Sequence, residues 1–168
     1  MTKDVSIRAV GGEDEVMQCV DIMVSSEPWI TLRRTAEEAG KIIASPTRQV
    51  YVAVKDGRVA GFAVLVLQGL FVGFIQSLAV REDLRGQGIG ARLMQFAEER
   101  IFREFPNVFL AVSSFNTRAQ SFYRRLGYES VGELKDLLIR GESEILMRKT
   151  VGPLSEFDEG KRLRAQSS

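Results

Sequence analysis

The sequence predicts one α/β domain of about seven strands and four helices, and three observations lead there. The chain has 168 residues, within the roughly 100 to 200 that one domain takes and enough to bury a core. It is 45% hydrophobic and 27% charged, the balance of a chain whose folding is driven by burial. Its hydrophobic period also changes along the chain, helical from Glu13 to Ala44 after one short strand, strand-like from Gln49, then strand and helix in turn. Residues 1–151 are expected to form the domain and 152–168 a polar tail.

Val5 to Val10 alternates as a first strand and Gly11-Gly12 turns the chain. Val16, Val20, Met23 and Val24 then fall at helical spacing within Glu13 to Ser25. A loop, Ser26 to Thr31, leads to a second helix, Ala36 to Ala44, which Ser45-Pro46 ends because a residue before proline avoids helical geometry. Gln49 to Lys55 and Val59 to Leu67 make a hairpin about Asp56-Gly57, a strong turn signal. Phe71 to Val80 is apolar on both faces and so reads as a central strand. A third helix, reaching about Phe102, puts Leu93, Ala97 and Ile101 on one side. Val108 to Ser113 is the fifth strand, Thr117 to Leu126 the fourth helix with Gly127 as a left-handed cap, and Tyr128 to Glu133 and Glu144 to Lys149 the last two strands.

Composition closes several classes of function. The formal charge is +1, so no general pull toward nucleic acid or anionic membrane is expected, and any anion site must be local. The stretch Val59 to Ile75 approaches the length of a membrane span, but Gln68-Gly69 breaks it and its β-branched and aromatic residues favour two buried strands. There is no histidine and one cysteine, Cys19. That excludes Ser-His-Asp and Cys-His nucleophiles and leaves almost no zinc chemistry, so no metal is expected. Cys19 lies on or beside the buried side of its helix and is assigned to packing. With no internal disulfide, and no basic-then-apolar pattern across Met1 to Val10, a reducing cytoplasm is the expected home.

The informative unit is an apolar strand, a charged loop from Arg81 to Arg85, and then Gly86, Gly88 and Gly90 opening a helix. Glycines let the backbone approach a phosphate, and the first N–H groups of a helix lack internal acceptors and point at it. Each hydrogen bond to a charged group contributes roughly 1.5 to 3 kcal/mol, so a few would hold a pyrophosphate without many lysines. On spacing alone, the same glycines also fit a plain strand-to-helix turn. Gly86, Gly88 and Ala91 formally match a dinucleotide fingerprint, but that belongs to a first strand-turn-helix with an acid about 20 residues on, where this chain has Ser113-Ser114.

The run from Ile75 to Met94, I-Q-S-L-A-V-R-E-D-L-R-G-Q-G-I-G-A-R-L-M, resembles the central motif of the GNAT superfamily of N-acetyltransferases, [QR]-x-x-G-x-[GA], with Arg85, Gly88 and Gly90 in its places. The run from Val112 to Glu129 is similar to that superfamily's second motif, with Asn116, Ala119, Tyr123, Gly127 and Tyr128 matching. In style the motifs are nearest to the ribosomal-protein N-terminal acetyltransferases. The resemblance covers about Val50 to Lys149 in strand order.

It implies a mostly antiparallel mixed sheet of about seven strands with helices on both faces, whose fourth and fifth strands splay to admit the pantetheine arm of acetyl-CoA. It implies acetyl transfer from acetyl-CoA straight to a primary amine, on a small molecule or a protein, without a covalent enzyme intermediate. Leu78 would hold the acetyl oxygen through its N–H, Val80 would pair with pantetheine, and Arg85, Gly86, Gln87, Gly88, Ile89, Gly90 and Ala91 would carry the pyrophosphate. Asn116 would fix the cofactor arm and Tyr123 would protonate the leaving thiolate, its phenol having a reference pKa about 10 against about 8.5 for a thiol. By spacing alone Tyr123 reads as a core residue, since Ala119, Phe122, Tyr123 and Leu126 share one helical face, and only the motif reverses that. A homodimer stays open.

One expected group is missing. Gln76 stands where one common subset of the superfamily has a glutamate, and Ala111 where the ribosomal-protein acetyltransferases have theirs. Unaided deprotonation at pH 7 costs about 1 kcal/mol for an α-amine and about 4.6 for a lysine. Three routes remain: a weakly basic acceptor, a water relay past Gln76, Ser77 and Ser113, or a carboxylate from a loop, namely Glu27, Asp136 or Glu142. Trp29, the only tryptophan, either lines the acceptor pocket or covers the core. The rival functions are a non-catalytic CoA-binding module of the same fold and a nucleotide-binding domain using the same glycine loop.

Overall fold

The computed structural model describes residues 5–70 and 72–158. It contains seven strands, β1 (Val5–Ala9), β2 (Gln49–Lys55), β3 (Arg58–Val66), β4 (Phe74–Val80), β5 (Asn107–Ser113), β6 (Glu129–Lys135) and β7 (Ser143–Thr150). Among the described residues four helices of eight or more residues accompany them, α1 (Glu13–Val24), α2 (Ala36–Ile43), α3 (Ile89–Phe102) and α4 (Thr117–Arg125), with a 3-10 turn at Glu82–Leu84 in the charged loop. The strands form one sheet in the order β1-β2-β3-β4-β5-β7-β6. Every neighbouring pair is antiparallel except β4 and β5.

The local signals explain most of these elements. Asp56 (φ 51°) and Gly57 (φ 73°) both occupy the left-handed region, as the tight hairpin between β2 and β3 requires. Helix α2 begins with a reciprocal cap. Thr35 Oγ1 accepts from the Glu38 N–H at 3.2 Å, and the Glu38 carboxylate accepts from the Thr35 N–H at 2.9 Å. Helix α1 has Glu13, Asp14 and Glu15 in its first turn, where negative charge suits the helix dipole. Glu15 also accepts from the Gly11 N–H and from Arg8 of β1, tying strand to helix.

Helices cover both faces of the sheet. Adjacent residues of β2 divide between them: Val52 packs with Cys19 and Met23 of α1 and Ala39 and Ile43 of α2, while Ala53 packs with Ile89 and Leu93 of α3. A bulge at Ala60, which faces no residue of β2, shifts the alternation of β3, so that Val59, Phe62 and Val64 all point to the α1–α2 side. Gly61 sits where β3, β4 and α3 converge. A Cβ there would lie 2.6 Å from the Ala79 carbonyl oxygen and 3.2 Å from Leu93. The α3–α4 face carries a separate core of Leu65, Ile75, Met94, Ile101, Leu110 and Met147.

Two expectations change. The fourth strand begins at Phe74 rather than Phe71, because Gly73 adopts φ 80° and presses on Asn107, where a Cβ would meet the carbonyl oxygen at 2.5 Å. Phe71 itself lies outside the described residues. The polar segment after residue 151 opens with a turn of helix at 154–158, while residues 159–168, including the basic cluster from Lys161 to Arg164, lie outside the described residues. Residues 59–66 and 74–75 are strand, as the broken apolar stretch predicts, and no helix among the described residues is long and apolar enough to cross a membrane.

Candidate active site

Strands β4 and β5 are joined by only two residue pairs, Phe74 with Phe109 and Ile75 with Leu110. Beyond them the strands separate, while β5 continues against β7 through seven pairs. The separation starts at a bulge. Ile75 faces Leu65 and Ser77 faces Val64, so Gln76 is unopposed on β3. Bulges turn and twist a strand, and this one lies at the last pair before β4 leaves β5. The opening leads into a cleft of about 830 Å³ lined by β4 from Phe74 to Val80, β5 from Leu110 to Ser113, the start of α3, the inner face of α4 and the segment after α1.

At one end of the cleft lies the glycine loop. Gly86 (φ 76°) and Gly88 (φ 80°) are both left-handed, and a Cβ on either would have no atom within 4 Å. Gly88 caps α3 without a side chain, so the amides of Ile89, Gly90 and Ala91 at the first helical positions have no intrahelical acceptor. Open space in front of unsatisfied N–H groups at a helix start suits a pyrophosphate. Gly86, Gly88, Ile89, Gly90 and Ala91 line the cleft, and the buried Ile89 side chain also anchors the loop in the core. The Gln87 side chain points away, accepting from Lys55 Nζ at 2.9 Å, so this residue offers the cleft only its backbone N–H. Arg85 lines the cleft with its guanidinium engaged, Nε donating to the Val80 carbonyl at 3.1 Å and Nη2 to Ser26 Oγ at 3.0 Å.

Leu78 and Val80 face the opening from β4. Asn116 caps α4, its Oδ1 accepting from the Ala119 N–H at 3.2 Å. Its amide nitrogen is thus the half left for a ligand. Tyr123 is half-buried, packs on the α3–α4 core and lines the cleft as well. Burial pushes its phenol up to about 12.

A profile of the acetyltransferase (GNAT) family matches residues 16–128. The chain belongs to the GNAT family. It is similar to an uncharacterised N-acetyltransferase of Methanocaldococcus jannaschii, with 39% identity over 101 residues, 59% of this chain and 64% of that protein. The chain thus spans less than two thirds of that relative. Among solved structures, a GNAT-family protein of Desulfovibrio desulfuricans superposes with a TM-score of 0.75 at 19% identity, covering 88% of this chain and 99% of that one. An aminoglycoside 6'-N-acetyltransferase complexed with coenzyme A superposes with a TM-score of 0.69 at 22% identity, covering 89% and 97%. These two likenesses speak for the fold.

In this GNAT domain the carboxylates expected beside the cleft stand as follows. Glu27 lines the cleft but is held locally, accepting from the Thr31 N–H at 3.2 Å and the Thr31 hydroxyl at 3.1 Å. Trp29 both lines the cleft and joins the α1–α2 core, 8% exposed. Asp136 and Glu142 do not line it. Asp136 accepts from the Gly141 N–H within its own loop, and Glu142 from the Ser114 hydroxyl just after β5. Gln76 accepts from Arg48 Nε at 2.5 Å. Cys19 is fully buried, its thiol raised to about 12 chiefly by burial, and takes no part.

The sequence reading missed one carboxylate. Glu144, 5% exposed, lines the cleft from β7 directly opposite Ser113, whose hydroxyl donates to Glu144 Oε1 at 2.6 Å. Desolvation raises its pKa, partly offset by the Ser113 hydrogen bond. Arg34 lines the cleft too, and its buried Nε has no partner among the described residues.

Proposed function

We propose that this chain transfers acetyl from acetyl-CoA directly to the nitrogen of a primary amine. The observation that carries the reading is one cleft joining two features, a gap where β4 leaves β5 and a glycine-lined helix start with open space before its amides. The gap suits the extended, amide-bearing pantetheine arm, and the helix start suits its pyrophosphate. When bound, acetyl-CoA supplies an acyl thioester already activated toward amines.

The chain's own groups divide the work. Amides from Gly86 to Ala91 hold the pyrophosphate, Val80 pairs with the arm through its N–H, its carbonyl being taken by Arg85, and Asn116 Nδ2 fixes the arm from α4. Arg85 locks the loop against Ser26 at the end of α1. The Leu78 N–H stabilises negative charge on the acetyl oxygen, and loss of such a donor costs about 2.7 to 4 kcal/mol of transition-state stabilisation. Tyr123 keeps its proton at neutral pH and gives it to the departing sulfur. Trp29, Gln76 and Ser113 border the acceptor's position, with Glu27 at its rim.

The test is release of free thiol when acetyl-CoA is mixed with a panel of amines, alongside calorimetry with CoA, ATP and NAD. Thiol release with CoA binding supports the reading. The Gln76 side chain held by Arg48, at the position where the resemblance implies a glutamate in one subset of the superfamily, favours a second reading, a CoA-binding module without turnover. CoA binding with no thiol release would select it, and binding of ATP or NAD instead of CoA would discard both.

A further inference from the structure

We infer that Glu144, oriented by Ser113, is the group that takes the proton from the acceptor's ammonium. The inference rests on the acetyl-transfer reading above. Glu144 is the buried carboxylate among the cleft-lining residues, on the same sheet face as Ser113 and Ala111, and β5 there faces the gap left by β4. An uncompensated buried carboxylate is costly, and its one described hydrogen bond, from Ser113, leaves its second oxygen for another donor. An ammonium N–H in the cleft supplies that donor. The carboxylate also answers the problem set by Gln76 and Ala111, since it approaches the acceptor from β7 when β4 and β5 offer none.

The step balances. The acceptor enters as R-NH3+ and passes one proton to the Glu144 carboxylate. The neutral amine attacks the thioester carbonyl, a C–N bond forms and the C–S bond breaks. Sulfur takes a proton from the Tyr123 hydroxyl, which is restored by the second proton leaving nitrogen, and Glu144 returns its proton to water. Net products are the amide, the free thiol and one proton. A carboxylate poised above its ordinary pKa is the better base near neutrality. The cleft that Glu144 lines also holds Ser113 from β5, Gln76 from β4 with its bound Arg48 from just before β2, Glu27 and Arg34 from the segment after α1, and Tyr123 from α4, while Glu142 precedes β7 and Arg148 lies four residues beyond Glu144 along it.

The experiment compares wild type with Glu144→Gln, which keeps an acceptor for Ser113, from pH 6 to pH 10. The acceptor is whichever wild type uses fastest among a peptide with a free N-terminus and one lysine, spermidine and kanamycin. At pH 7 a lysine amine is neutral about once in 2,500 molecules and an α-amine about once in seven. The ratio of wild-type to variant kcat/KM is therefore expected to be largest at low pH and to fall toward one as the pH reaches the acceptor's own pKa, with CoA affinity by calorimetry unchanged. A ratio that stays constant with pH, or a variant equal to wild type at pH 7, overturns the assignment and leaves acetyl transfer standing. Should wild type acetylate none of the three, the transfer reading falls and takes this one with it. If Glu144→Gln does not fold, Ser113→Ala serves. Removing the hydroxyl that favours the ionised carboxylate is expected to move the acid limb of kcat/KM to higher pH, and an unmoved limb overturns the assignment.

Discussion

Arg48 Nε donates to Gln76 Oε1 at 2.5 Å, and its Nη1 donates to Ser45 and Thr47 at 3.0 and 3.1 Å, so the side chain at the β4 bulge is held by a guanidinium already anchored at the start of β2. Placing a carboxylate here, Gln76→Glu, would pair it with Arg48 and hold it below the usual carboxylate range. We expect no gain in turnover and no new acid limb in its pH profile. A clear rise in kcat at pH 7 would show that the strand position is a working base site.

Tyr123→Phe keeps the packing against Tyr128, whose ring centroid is 5.9 Å away, and removes the hydroxyl. General acids contribute typically 10² to 10⁴, so kcat should fall at least about 100-fold while CoA affinity by calorimetry holds. The wild-type phenol is raised from 10.0 to about 12 by burial. A raised folded pKa means that the protonated phenol supports the fold fully below pH 10 and that this contribution is lost as the pH climbs toward 12. The variant should therefore lose less stability than wild type across that interval.

Gly88→Ala tests the helix start. At φ 80° an alanine is strained by about 1 to 2 kcal/mol, and its Cβ enters the open space before the α3 amides. CoA affinity by calorimetry should fall more than thermal stability does, and equal affinity would place the pyrophosphate elsewhere.

Gly61→Ala tests the packing of β3 on β4. Its Cβ would meet a backbone oxygen at 2.6 Å, so destabilisation of about 1 to 3 kcal/mol in urea unfolding is expected. Alanine otherwise improves on glycine in a strand by roughly 0.5 to 1 kcal/mol, and a gain would refute the crowding.

Glu15 is held down to about 2, first by the Arg8 hydrogen bond and then by the Gly11 N–H. With a folded pKa below the ordinary 4.5, its contribution is present above that value and is lost as the pH falls toward 2. Melting curves should show wild type losing more stability than Glu15→Gln over that interval.

What the sequence made legible was local. The glycine loop, the Asp56-Gly57 turn and the Asn116 helix start each depend on a few neighbouring residues, and each is where it was expected. The two faces of Tyr123 were also visible as alternatives, since one helical stripe serves both core and cleft. Glu144 was placed on its strand but not recognised. Its burial depends on β5 and β7 pairing 31 residues apart, which sets Ser113 opposite it. In sequence it reads as one more acid at the end of a polar loop. The bulges at Ala60 and Gln76 escaped for a similar reason. A single unopposed residue changes which side chains share a face and leaves no mark on composition.

The two pairs between β4 and β5 have a consequence for stability. The sheet is a two-piece structure, β1 to β4 and β5 to β7, clamped along much of its length by α3, which packs on strands from both pieces. A ligand lying in the gap supplies the missing rungs, and because it binds the folded chain alone, at 100 times its Kd it would add about 2.7 kcal/mol by mass action. On the proposed function the empty protein is the less stable partner of a loaded one, and its melting temperature is expected to rise with added CoA.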